Sequence, residues 1–153
     1  MSNIIILRGP YCSGKTTWAS KYCQKHADSI RLAPTELAVS LASGGSKSGA
    51  NKVAMSMFKA GLLAAIGEGK NIIIDGENFL DNQVKNIVEI IDQICIDNST
   101  SIIKNKVDYQ MHIKYFSKTP LDICIERNKK MQSPRKESSI IRSYKYFHER
   151  VSP

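Results

Sequence analysis

The hydrophobic pattern of the chain alternates between short apolar runs and longer stretches of helical period. Ile4–Ile5–Ile6–Leu7 is unbroken, which predicts a strand over residues 3–8 covered on both faces. Trp18, Ala19, Tyr22 and Cys23 recur at helical spacing and predict a helix over 15–26, with His26 as a surface or capping residue at its end. Ser29–Leu32 reads as a short second strand, and Pro34 as the first position of a helix running to about Ser43. The stretch 43–49 is too rich in glycine and serine for a regular element and reads as a loop. Residues 50–66 predict a well-buried helix carrying Val53, Met57, Leu62, Leu63 and Ile66, stopped by Gly67 and Gly69.

The second half repeats the alternation. Asn71–Asp75 is a third strand, and 80–96 an amphipathic helix with Leu80, Val84, Ile87, Val88, Ile91 and Ile94 on its apolar face. A polar connection over 98–106 leads to a fourth strand over 107–116, where Tyr109, Met111, Ile113 and Tyr115 alternate. A helix starts at Thr119–Pro120 and ends in Glu126–Lys130. A break around Pro134 separates it from a last helix near 137–150, with Ile140, Ile141, Tyr144, Phe147 and Val151 on one face. No internal repeat is apparent. Strands alternating with helices predict one doubly wound α/β domain over 1–153, built on a parallel sheet.

The junction of the first strand and helix carries the strongest chemical signal. Gly9, Gly14, Lys15 and Thr16 fit the phosphate-loop pattern, two glycines five apart followed by Lys and Ser/Thr. Glycines let the backbone curl so that successive N–H groups, including those of Cys12 and Ser13, face one concavity. The helix opening at Gly14 adds its unsatisfied N–H groups and the positive end of its dipole. Lys15 would reach the β- and γ-phosphates of ATP, Thr16 would ligate Mg²⁺, and Thr17 would add a hydroxyl toward the α-phosphate. Asp75, ending an apolar strand, stands where a carboxylate that orders Mg²⁺ belongs. The motif alone does not separate a kinase from an ATPase or a GTPase.

Composition narrows the partners. Lys and Arg number 22 against 14 Asp and Glu, a net charge of +8, which suits an anionic substrate such as nucleic acid, DNA or RNA. Eight of these cations fall between Arg127 and Arg150, so a basic lid over ATP is expected, with Arg127 as its catalytic cation. Arg142, Lys145 and Arg150 read as a solvated face. The four cysteines lack CxxC or metal-ligand spacing and read as free thiols in a reducing, cytoplasmic setting. Cys12, near a helix N-terminus, is expected to be the most reactive of them. No apolar run is long enough to cross a bilayer, and no signal peptide is visible. Oligomeric state is not legible.

These motifs together resemble the kinase domain of phage-type polynucleotide 5′-kinases. The likeness rests on Gly9–Thr17 with Trp18, on Ile72–Phe79, on Phe116–Pro120 leading into Glu126–Arg127–Asn128, and on Ile140–Tyr144. It implies a P-loop kinase fold with four parallel strands, helices on both faces and a lid arginine at Arg127. It further implies Mg²⁺-dependent transfer from ATP to a polynucleotide 5′-hydroxyl. Two positions depart from the family. Its proton-accepting aspartate aligns with Thr35, leaving Glu36 or Glu77 as candidate bases, with Thr35, Glu77 and Asn78 at the acceptor. Its second lid arginine falls near Met131, leaving Lys129, Lys130 or Arg135 to substitute. The alternatives are a DNA kinase acting on a hydroxymethylated base, a small-metabolite or nucleoside kinase, and a non-enzymatic nucleotide-binding protein.

Overall fold

A computed structural model describes residues 2–42, 47–78, 80–100 and 109–151, so Phe79, residues 43–46 of the glycine-rich stretch and 101–108 of the polar connection lie outside it. Its elements are β1 (Ser2–Arg8), α1 (Lys15–Lys25), β2 (Ser29–Leu32), α2 (Pro34–Leu41), α3 (Lys47–Gly67), β3 (Asn71–Ile74), α4 (Asp81–Thr100), β4 (Tyr109–Tyr115), α5 (Leu121–Lys129) and α6 (Glu137–Arg150). The four strands pair in parallel in the order β2-β3-β1-β4. The chain therefore leaves β1, builds two strands on one side of it, and returns to the other side. The crevice at the carboxyl end of β1 is where open α/β sheets bind ligands.

Period-two packing explains the two layers. Ile4, Ile6, Ile72 and Ile74 face Phe58, Leu62 and Ile66 of α3 and Ile87 and Ile91 of α4. Leu7 and Ile73 face the other way, onto Ala19 of α1, with Trp18, Tyr22, Cys23 and Phe116 packed around them. Both faces of the central strands are dry, as their unbroken apolar runs require. His26 closes α1, its backbone N–H and ring Nδ1 both meeting the Tyr22 carbonyl.

Four details depart from the sequence expectation. The helix α3 begins at Lys47, inside the stretch expected to be a loop, and α4 runs on to Thr100. A helix lying on a sheet buries one stripe. In α3 that stripe is Ala54, Phe58, Leu62, Ala65 and Ile66, while Val53, Met57 and Leu63 are about half exposed. On β4, an edge strand, Met111, Ile113 and Tyr115 remain 37–42% exposed rather than forming a buried face. Among the described residues, no helix is long and apolar enough to cross a membrane.

Candidate active site

The turn from β1 into α1 is a cradle whose shape depends on its glycines. A Cβ on Gly9 would lie 2.7 Å from the Phe116 Cβ and 2.9 Å from the Ser13 Oγ, so the end of β4 closes on the loop only because that side chain is missing. Gly14 has φ +98°, in the left-handed region, and Cys12 adopts φ +61° despite carrying a side chain. The Ser13 hydroxyl oxygen is buried with no hydrogen-bond partner. Such an orphan, beside a curl that a Cβ would fill, fits a loop built to hold an anion. Lys15 is buried and donates from Nζ to the Gly9 and Pro10 carbonyls, at 2.8 and 2.7 Å. Burial lowers its pKa to about 8, against the pull of Asp75. Thr16 and Thr17 are exposed at the first turn of α1.

Two segments from the second half brace the cradle. Thr119 Oγ1 donates to the Ser13 carbonyl at 3.0 Å, and Arg127 Nη1 to the Cys12 carbonyl at 3.2 Å. Arg127 thus reaches the loop from α5, where the lid arginine is expected. A cleft of about 410 Å³ lies beside it, lined by Cys12, Gly14, Thr17, Trp18, Lys21 and Arg127 among others. The break after α5 is tied down by the buried Asn128, whose amide donates to the Arg135 carbonyl and accepts from the Arg135 N–H. Cys12 does not behave as its place near a helix N-terminus suggests. Burial pushes its thiol pKa up, outweighing the pull of Lys15, Arg135 and Arg127, and its Sγ lies 3.8 Å from the Met131 Sδ.

The carboxylates fall into two groups at the end of β3. Asp75 is buried, and Arg31 on β2 holds its Oδ2 from Nε at 2.8 Å and from Nη2 at 2.7 Å. The same Nη2 pairs with Glu36 at the start of α2. Asp75 and Thr16 carry oxygens of the kind Mg²⁺ takes in ones and twos while keeping its waters. Among the described residues no three His, Cys, Asp or Glu side chains gather as a complete metal cage. Thr35 faces Gly76, its Oγ1 lying 3.7 Å from where a Cβ on that glycine would stand. Asn78 is buried and donates to the Leu7 carbonyl at 3.1 Å, so its amide nitrogen ties the loop to β1.

Glu77 belongs to the second group. It accepts from the Tyr11 hydroxyl at 3.0 Å and pairs with Arg135. The Arg135 guanidinium also stacks 4.1 Å from the centre of the Tyr11 ring. Burial and then Glu77 push the Tyr11 pKa up to about 12, so the phenol stays protonated as a donor. Of the cations considered for the second lid position, Arg135 is the one that reaches this loop. Arg31 and Tyr11 were not singled out from the sequence. Tyr11 sits inside the phosphate-loop motif, which makes it findable; Arg31 carries no such mark.

The chain can be set beside known proteins on this geometry. A family model described as an AAA domain matches residues 4–145. A chain of the Pnkp1/Rnl/Hen1 RNA repair complex superposes with a TM-score of 0.73 at 18% identity, covering 99% of this chain and 46% of that one. The protein therefore spans less than half of that relative's length. A candidate kinase of Chloroflexus aurantiacus gives 0.63 at 14% identity, over 99% of this chain and 89% of that one. The tunicamycin resistance protein of Deinococcus radiodurans gives 0.55 at 18% identity, over 97% and 81%. These likenesses establish a P-loop kinase fold. No curated protein matches the sequence.

Proposed function

The chain belongs to the AAA domain family, and on that premise we propose that it is a kinase that moves the γ-phosphate of ATP to a hydroxyl of a nucleic acid. The supporting observation is the pairing of a phosphate cradle at Gly9–Thr17 with Arg127 brought to its rim from α5. The cleft beside Trp18 and Arg127 would take the nucleoside end of ATP. Lys15 would leave the Gly9 and Pro10 carbonyls for the phosphates. Thr16 and Asp75 would hold Mg²⁺, which when bound neutralises charge on the transferred group.

In this reading the acceptor oxygen attacks the γ-phosphorus, the bond to the β–γ bridging oxygen breaks, and ADP leaves. The acceptor proton passes to a carboxylate. Glu36 is the proposed recipient, oriented by Arg31, and Thr35 lines the acceptor side. Arg127 would meet the charge that spreads over the moving phosphoryl group. The nucleic-acid acceptor is supported by the net charge of +8, and a polynucleotide 5′-hydroxyl is the first candidate.

One observation favours a second acceptor. Thr35 stands where the resembling family has its base, and the carboxylate beside it is turned onto Arg31. A shifted base suits a shifted hydroxyl, such as the hydroxymethyl of a modified base in DNA. Labelled ATP offered with 5′-hydroxyl DNA and RNA, hydroxymethylated-base DNA, nucleosides and small metabolites separates these. Labelling of an oligonucleotide, abolished by Lys15→Ala, is the expected result. Labelling of metabolites only, or transfer surviving in a folded Lys15→Ala protein, overturns the reading.

A further inference from the structure

We propose that the outer face of α6 is a docking groove for the phosphate backbone of a nucleic-acid strand, and that it favours polymeric acceptors over free nucleosides. This rests on the reading of the chain as a nucleic-acid hydroxyl kinase. The groove encloses about 530 Å³ and is lined by Ser138, Ile141, Arg142, Lys145, Tyr146, Glu149 and Arg150. The sequence shows these cations only as part of a basic segment. The helix sorts them, because residues three and four apart share a face.

Three cations meet one carboxylate, Glu149, in this wall. Among the described residues none of Arg142, Lys145 and Arg150 sits in an ion pair within 4 Å. Asp81 is within electrostatic range of Arg150, but its carboxylate is bonded to Arg8 and Tyr146. The Arg150 guanidinium lies 5.5 Å from the centre of the Tyr146 ring. Cations beside an aromatic ring are the pairing that takes backbone phosphate and an adjoining base together. At a rise of 1.5 Å per residue, Arg142 and Arg150 are about 12 Å apart along the axis, a span of about three to four steps at the ~3.4 Å rise of a stacked strand.

The groove also lies near the site. The same helix carries the buried Ser143, whose Oγ accepts from the Tyr11 N–H at 3.2 Å, and Arg142 of the groove is within electrostatic range of Tyr11. A helix is about 10 Å across with its side chains. The groove thus lies within about one helix width of the phosphate loop. A nucleoside at the acceptor position ends before it, whereas the flanking phosphates of a strand can lie along it.

The test is fluorescence anisotropy with a labelled single-stranded DNA of about 20 nucleotides, from about 50 to 300 mM KCl. The variant Arg142→Gln/Lys145→Gln/Arg150→Gln keeps long side chains and removes charge. Each lost phosphate contact lowers the salt slope by about 0.7, so a drop of about 2 is expected, with affinity at ~100 mM falling at least about tenfold. The preference for an oligonucleotide over a nucleoside acceptor should shrink with it. If the triple variant fails to melt cooperatively, Arg142→Gln and Lys145→Gln alone should each remove about 0.7 from the slope. An unchanged slope in a folded variant, or no binding by the wild type at ~50 mM, overturns the groove. Salt-sensitive binding lost in the variant, without phosphate transfer to any acceptor, would instead overturn the kinase reading and leave the groove standing.

Discussion

Asp75 and Glu77 stand two residues apart at the end of the same strand, yet arginines hold them in different ways. The Asp75 carboxylate is 3% exposed, and Arg31, from the neighbouring strand, is 22% exposed. The Glu77 and Arg135 side chains are 28% and 40% exposed, and Arg135 comes from the break after α5. A buried charge cannot fall back on water, so the first pair is part of the framework. The second can open at small cost, because water replaces what is lost. A rigid carboxylate beside the phosphate loop and an adjustable one facing the break after α5 suit a site that must keep one geometry and change another.

The largest expected effect separates the two candidate bases. Glu36→Gln should slow transfer by roughly 10²- to 10⁴-fold, the range of general base catalysis, while ATP still binds. Glu77→Gln should change the rate far less. Rates measured on one acceptor decide, and a reversed order would assign proton transfer to the Glu77 group. Next in size is the framework pair itself. Arg31→Ala leaves the Asp75 carboxylate buried without its partner, which should cost about 3 kcal/mol in a denaturant melt.

The third prediction concerns Lys15. Its pKa near 8 in the free protein means that binding phosphate, which favours the charged ammonium, takes up a proton above that pH. ATP affinity should be flat with respect to this group below pH 8 and fall by up to about tenfold per unit above it. Calorimetry in buffers of different ionisation enthalpy would detect the uptake. Stability of the free protein moves the other way. The unfolded lysine keeps its proton to about pH 10.4, so the unfolded state holds more protons between the two values and stability rises across that window. The smallest effects belong to the adjustable pair. Arg135→Ala should cost at most about 1 kcal/mol, and Tyr11→Phe a similar amount for one hydrogen bond.

This contrast also marks what the sequence could reveal. The phosphate loop was legible because its signal is contiguous, from Ile4 to Thr17, and β1 and β3 because apolar runs announce themselves locally, as the alternation along β4 does. Arg31 was not, since its main partner is 44 residues away and a strand arginine reads as a surface residue. The contact of Tyr11 with Ser143 spans 132 residues. Exposure along α3 and β4 escaped for a related reason. Apolar spacing shows which residues could face a core, while sheet order decides how much core reaches them, and β4 ends up on an edge.

The roof over Gly9 has a consequence for the birth of the protein. Phe116, which closes on that glycine, follows β4, and the Phe116 N–H donates to the Arg8 carbonyl at 2.8 Å. The loop that would hold the phosphates is made first, and its closing wall comes more than a hundred residues later. At ~5–20 residues per second, a ribosome spends several seconds between the two. During that interval the β1 edge that β4 will cover stays open, and Gly9 has no roof. Nascent chains halted before Phe116 should fail to be retained on immobilised ATP, and chains carried past Arg127 should begin to be held.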